Sequence, residues 1–392
     1  MSVAAPPAAR LGAVRQAFLF GNFVIGCGVI AVVGVLNDLT DDLHVSVARG
    51  GTLIAIAAAV MCFGAPLVAG WVGGFDRRRL LAGSLLWYAA GHAASALMPS
   101  YEALWPVRAA TVLGAAVFTP QAAAAIGAMA PPEHRGRHIT YIFIGWSVAS
   151  VAGMPIAAWL GETFGWRTAF AAVAGLSVLA GAWVWAVTPD GVKPPALSRR
   201  DWAAVFTSPL LMGMVAITAL SGAGQFTLFS YLAPYWKAVL HANATQISLL
   251  FLWFGAFGLV GNALMSRHVD RLGAGRSVTM ALGLMALSLL AWPLGTSIVA
   301  AALVLLPWGL GCFSSNSAQQ ARLGMAAPAY APALMALNSS AIYLGQAAGA
   351  SSGGWLIDHG GYGPLPVLGL GWMALAIGLS MWVMRRSAQA VA

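Results

Sequence analysis

A chain of 392 residues that is 60% apolar and only 8% charged cannot cover its own surface with polar groups, since a soluble domain carries roughly 25% charged residues. Lipid can shield that apolar surface instead, so the composition excludes an ordinary water-soluble enzyme and predicts a membrane protein. The net charge of +9 would suggest nucleic acid in a soluble protein, but on this background the placement of the charges matters more than their sum.

Apolar runs near 14–36, 50–72, 80–98, 103–129, 139–160 and 167–187 read as six helical spans. A connector over 188–208 holds Pro189, Pro194, Pro195, Arg199 and Arg200. Six further runs follow near 209–236, 245–266, 277–294, 298–324, 332–357 and 364–384. The expected fold is therefore all-α, with twelve transmembrane helices in two six-helix bundles, residues 1–187 and 209–392, joined by a cytoplasmic linker. The first run starts soon after MSVAAPPAAR with no small-residue cleavage site, so it is expected to be a span and not a removed signal peptide.

Twelve spans place sixteen of the 20 Lys and Arg at one end. Arg49, Arg167 and Lys237 lie at the other end with Asp38, Asp41, Asp42, Glu102, Glu162 and Asp358. That asymmetry predicts both termini in the cytoplasm. The halves also echo each other: Gly73-Gly74-Phe75-Asp76-Arg77 after the second span matches His268-Val269-Asp270-Arg271 after the eighth. Trp159-Leu160-Gly161-Glu162 after the fifth likewise matches Trp355-Leu356-Ile357-Asp358 after the eleventh. Internal repeats of this kind mark secondary transporters.

The chain offers no catalytic or cofactor motif. Its two lysines, Lys193 and Lys237, stand in no Gly-Lys-Ser/Thr loop, and there is no His-Glu-x-x-His. His134 and His138 have i, i+4 spacing but sit in the basic stretch EHRGRH, read as a solvated loop and not a metal site. Cys27, Cys62 and Cys312 fall in apolar runs as small buried side chains.

Ionisable groups at membrane depth are costly and mark function. Arg108 in the fourth span is the strongest case, the alternative being a side chain that reaches to the nearer surface. His92 in the third span is a proton-relay candidate or a packed polar residue. No carboxylate lies clearly within a span; Asp38, at the outer end of the first, is the nearest substitute or a plain interfacial residue. Candidate cavity or substrate residues are Asn22, Gln121, Gln225, Tyr231, Asn316, Gln319, Asn338 and Tyr343, with interhelical bonding as the alternative for each. Small residues at four-residue spacing, Gly145, Ala149 and Gly153 before Pro155, and Ala341, Gly345, Gly349 and Gly353, predict close helix packing.

These residues together resemble the major facilitator superfamily, in its twelve-span drug, sugar and nucleoside efflux branch of drug:proton antiporters and arabinose-efflux-like permeases. Gly70 through Arg79 resembles the family's loop signature after the second span, with Arg78 where the family has glycine. Asp270-Arg271-Leu272-Gly273 is a cleaner second copy. The resemblance implies that Asp76, Arg77, Asp270 and Arg271 hold the cytoplasmic side closed. Arg108 with Gly114 resembles the fourth-span motif linked to proton coupling, and Gly145 with Gly153-Met154-Pro155 the fifth-span antiporter motif. Gly165-Trp166-Arg167-Thr168-Ala169-Phe170, Gly224-Gln225-Phe226-Thr227 with Tyr231-Leu232-Ala233-Pro234, and Leu337-Asn338-Ser339-Ser340 also match the branch. One departure stands out: after Gly26-Cys27-Gly28, where many relatives carry a carboxylate, this chain has Val29.

The resemblance implies alternating access about a cavity lined by the first, fourth, seventh and tenth spans. The expected activity is export of a small neutral or amphipathic solute across the bacterial inner membrane in exchange for protons, by a monomer that binds no nucleic acid. The rival is an uptake carrier of the same fold for a sugar or metabolite. A membrane-embedded enzyme would need a nucleophile or metal cluster, and a non-transporting sensor an extra soluble domain; neither is found in the sequence.

Overall fold

In the computed structural model, residues 8–45, 47–193 and 198–389 are described. Pro194 and Pro195 of the connector lie outside these, as do the side chains of Met154, Ala233, Pro234 and Asp358. Twelve long helical segments run through the described residues: α1 (Ala8–Gly34), α2 (Val47–Val72), α3 (Arg77–Ala96), α4 (Tyr101–Met129), α5 (135–164, in pieces), α6 (Trp166–Val187), α7 (Pro209–Phe229), α8 (Ala244–Leu272), α9 (Ala274–Ala291), α10 (Ile298–Ala326), α11 (Ala331–Gly360) and α12 (Leu365–Gln389). Among the described residues nine are long and apolar enough to cross a membrane, and ten if the bent pair in α5 counts as one span. The two that fall short are α3, which opens on Arg77-Arg78-Arg79, and α11, which carries Asn338, Ser339, Ser340 and Gln346. Arg78 of α3 and Asn338 and Ser340 of α11 bond groups on neighbouring helices, which a hydropathy average cannot see.

Helix starts are written in local chemistry. Asp76, Ser100, Ser208 and Ser297 each accept a backbone N–H of the first turn of α3, α4, α7 and α10, and Asn243 forms a capping box with Gln246 at α8. Single glycines with φ of +84° and +81°, Gly165 and Gly273, make the whole turn between α5 and α6 and between α8 and α9. A side chain would be strained in that left-handed conformation.

Three short helices were not foreseen: Leu36–Asp42 after α1, Arg199–Thr207 in the connector, and Leu232–Val239, which splits the predicted 209–236 span at Ser230-Tyr231. α5 also departs from a straight rod. It passes through a π turn at Ala149–Gly153 and bends by 44° before Pro155, as a proline that cannot donate to the preceding turn requires.

Helix neighbours repeat between the halves. α1 packs on α5 and α6 as α7 packs on α11 and α12; α2 and α3 lie on α4 as α8 and α9 lie on α10; α3 meets α6 as α9 meets α12. The close approaches use the predicted small residues. A side chain on Gly145 would meet the backbone of Leu19 and Phe23 on α1, and one on Gly153 would press Cys27. On Gly345, Gly349 and Gly353 it would strike the backbone of Ala219, Ala223 and Thr227 on α7. The architecture is therefore two pseudo-symmetric six-helix bundles.

The apolar core is not shared evenly between the ends. One buried cluster joins Ile139 and Ala123 of the first half to Val269, Ala321 and Met335 of the second, all near the arginine-rich end. The cluster at the acidic end, with Val35, Leu39, Tyr101 and Trp166, draws on the first half alone. The halves are thus packed together at the basic end.

Candidate functional site

Arg108 lies on α4 with 1% of its surface exposed. Its guanidinium ends inside the first bundle and not at a surface. Nη1 is 2.9 Å from His92 Nε2 on α3, and Nη2 donates to the Gly28 carbonyl on α1 at 3.2 Å. The plane lies over Phe170 of α6, 5.0 Å from the ring centre, where a cation is attracted by the ring's negative face. His92 Nδ1 is 3.0 Å from the Tyr88 carbonyl one turn back. A carbonyl only accepts, so Nδ1 carries the proton and Nε2 is left as the acceptor for arginine. The imidazole is therefore neutral. Tyr88 in turn donates to the Ile25 carbonyl at 3.0 Å.

This arrangement explains one of the sequence glycines. A side chain at Gly28 would press against the Tyr88 hydroxyl and lie 2.7 Å from His92 Nε2. Residue 28 must be bare for α3 and α4 to bring these groups to α1. No carboxylate touches Arg108 among the described residues, and its Nε has no partner there. Asp38 sits elsewhere, on the short helix Leu36–Asp42, against Gly161 of α5. The structure therefore brings Arg108 and His92 together and leaves Asp38 apart.

The amides form a second group. Asn22 on α1 accepts from Thr119 Oγ1 at 3.0 Å, and Trp146 of α5 reaches the same hydroxyl at 3.4 Å. Asn338 on α11 accepts from Thr218 of α7, and Gln319 on α10 donates to the Met214 carbonyl. Gln225 accepts from the Cys312 thiol at 3.1 Å, and Tyr231 donates to the Ala350 carbonyl at 2.7 Å. Tyr343 packs against the core cluster that joins the two halves. Spare capacity remains on Asn22 Nδ2, Gln121 Oε1, Asn316 Oδ1, Gln319 Oε1 and Asn338 Nδ2. A buried donor or acceptor left unmade costs about 1–3 kcal/mol. Such groups on α1, α4, α10 and α11 suit water or a neutral polar ligand.

The four loop residues behave unequally. The Asp270 carboxylate, at the end of α8, accepts the Arg137 backbone N–H of α5 at 3.0 and 3.2 Å. It thus ties the halves together at a helix N-terminus, where negative charge is favoured. Asp76 instead caps its own α3 and accepts from Gly191 N at 2.8 Å. Arg77 donates to the Val72, Gly73 and Phe75 carbonyls that end α2. Arg271 is exposed.

Two features escape the sequence reading. Asn262 on α8 donates to Ser147 of α5 at 2.8 Å, a buried polar bond between the halves. Arg322, counted among the basic-end charges, is 5% exposed; it donates to Ser380 Oγ at 3.0 Å and the Ser380 carbonyl at 3.3 Å, while Thr279 lies 2.8 Å from the same hydroxyl. Its place four residues before the end of α10 gave no sign of that burial. The amide of Asn262, alone in an apolar stretch, was the available signal for the other.

Comparison with known proteins places this geometry. The profile of the Major Facilitator Superfamily matches residues 18–350. The Inner membrane transport protein YdhP of Escherichia coli K12 is 29% identical over 375 residues, 95% of each chain. A Probable sugar efflux transporter of Mannheimia succiniciproducens is 25% identical over 89% of this chain and 88% of its own length. Among solved structures, the human organic anion transporter MFSD10 (TETRAN) aligns with a TM-score of 0.75 over 96% of this chain and all of that one, at 16% identity, which speaks to the fold alone.

Proposed function

Because the chain belongs to the major facilitator superfamily and is a multi-pass membrane transporter, we propose that it exports a small neutral or amphipathic solute across the bacterial inner membrane by alternating access, in exchange for protons. Residues 1–187 and 209–392 act as the two moving bundles, with 188–208 as their connector. The basic end faces the cytoplasm, following the bias of Lys and Arg. The observation that carries the reading is the unequal packing of the halves: a joint core at the basic end, a first-half core at the acidic end. This is the arrangement of a carrier closed toward the cytoplasm. The relatives named for inner-membrane transport and sugar efflux support the location and the direction.

In this reading the spare amide groups of Asn22, Gln121, Asn316, Gln319 and Asn338 meet the cargo, with Gln225, Tyr231 and Tyr343 beside them. Arg108 and His92 carry the coupling, since they are the ionisable pair buried together in the first bundle. Asp270 is the inter-half latch. The test uses purified protein in liposomes with an imposed pH gradient and a panel of drugs, sugars and nucleosides. Proton movement tied to one of them supports exchange; transport that persists undiminished with no ion gradient would refute it.

A further inference from the structure

A groove of about 640 Å³ opens on the outside of the first bundle between α2, α3 and α4. Its walls are Val68, Phe75, Leu80, Trp87, Leu113 and Val117, and its basic-end mouth holds Asp76, Arg79 and Lys193. Phe75 and Trp87 are more than half exposed, so at membrane depth the groove faces lipid.

The three consecutive arginines that open α3 have separate fates. Arg77 is spent on the carbonyls ending α2. Arg78 donates to the Trp185 carbonyl at 2.7 Å and stacks on the Trp185 ring. Arg79 lines the groove, exposed, as does Lys193, and neither side chain has a protein partner among the described residues. The one carboxylate at the mouth is already occupied: both Asp76 oxygens accept backbone N–H groups, from Arg79 and Gly191. The mouth thus presents two unpaired cations beside a satisfied acid.

The floor is shaped for a chain. Gly83 lines the groove and a side chain there would meet nothing within 4 Å. A glycine in a helix interior is unfavourable, and no neighbour in the protein requires this one. From Arg79 to Trp87 the groove follows about 12 Å of helix, most of the roughly 15 Å of a single leaflet's hydrocarbon.

We propose that this groove is a binding site for one anionic phospholipid of the leaflet at the basic end, its head group on Arg79 and Lys193 and one acyl chain along Gly83 and Trp87. The proposal requires only that the chain sits in a bilayer and is independent of cargo and coupling.

The test is native mass spectrometry of the full chain released from detergent with equal amounts of phosphatidylglycerol and phosphatidylcholine. The wild type should retain phosphatidylglycerol preferentially, and each of Arg79→Gln and Lys193→Gln should lower that preference about fivefold. Gly83→Leu should reduce retention of both lipids, and millimolar inorganic phosphate should displace neither. Phosphatidylglycerol with brominated tails should quench tryptophan fluorescence less in Trp87→Phe than in the wild type. An unchanged preference in the double glutamine variant with an unchanged melting temperature would overturn the proposal. So would displacement by phosphate, which would make the site one for a free anion.

Discussion

The two halves share a helix plan but divide their ionic work differently. The first buries Arg108 against a neutral histidine and an α1 carbonyl, seven residues into α4 from the acidic end. The second buries Arg322 near the basic end of α10, against a serine. The repeated loop acids part in the same way: Asp76 stays within its own half, whereas Asp270 reaches across to α5. A duplicated scaffold therefore fixes where helices lie, not what each copy's charges do. In the proposed mechanism, coupling therefore falls to the first half and the latch to the second.

The sharpest way to break this division is at the arginines. Arg108→Ala should abolish coupled transport in liposomes, because it strands His92 Nε2 and the Gly28 carbonyl; each lost hydrogen bond to a charged group costs about 1.5–3 kcal/mol. Arg108→Lys should fail as well, since a point charge cannot bridge both acceptors as the planar fork does. Arg322→Lys should leave coupling intact and lower only the melting temperature. Coupled transport in Arg108→Lys at the wild-type rate would erase the distinction between the halves.

The loop acids give the next largest effect. Asp270→Asn should open the basic end, shifting the population by about 1–2 kcal/mol, a factor of 5–30. Spin labels on the facing ends of α5 and α8 would report it as a longer distance. Asp76→Ala should leave that distance unchanged and weaken the α3 cap by about 1 kcal/mol. A smaller effect is expected for Asn262→Ala. Its coupling with Ser147→Ala in a double-mutant cycle should be about 1 kcal/mol, read in the same distance distribution.

The smallest effect concerns the acidic end. The Trp166 indole N–H and then the Arg167 guanidinium hold the Asp42 carboxyl below its ordinary value. A depressed carboxyl stabilises the fold above its unfolded pKa of roughly 3.9 and loses that contribution as pH falls through the lower folded value. Asp42→Asn should therefore lower the melting temperature slightly at neutral pH and leave it unchanged at pH values below the folded pKa, which flattens the acid limb of the profile. Asp42 is half exposed, so the shift should be small and should shrink with salt.

Much of this was legible in the sequence. Twelve long segments and the repeat followed from apolar run lengths and the echo of Asp76-Arg77 in Asp270-Arg271. Arg108 showed itself as the one arginine away from the ends of an apolar run. Its partner did not, because which faces of α3 and α4 turn inward depends on helix rotation, which run lengths leave free. The unequal roles of Asp76 and Asp270 were hidden for another reason. Their motifs are alike, and the difference lies in which helix end packs against each. The burial of Arg322 was not foreseen because distance from a helix end along the chain is not depth in the protein.

The neutral histidine beneath Arg108 has an electrical consequence. Among the described residues no anion balances that guanidinium, so the first bundle carries an uncancelled positive charge within its apolar interior. Any reorientation that moves it along the membrane normal does work against the transmembrane potential, about 2.3 kcal/mol per 100 mV for a full crossing. Turnover of even an uncharged cargo should then depend on voltage, and a potassium diffusion potential across the liposomes would reveal it.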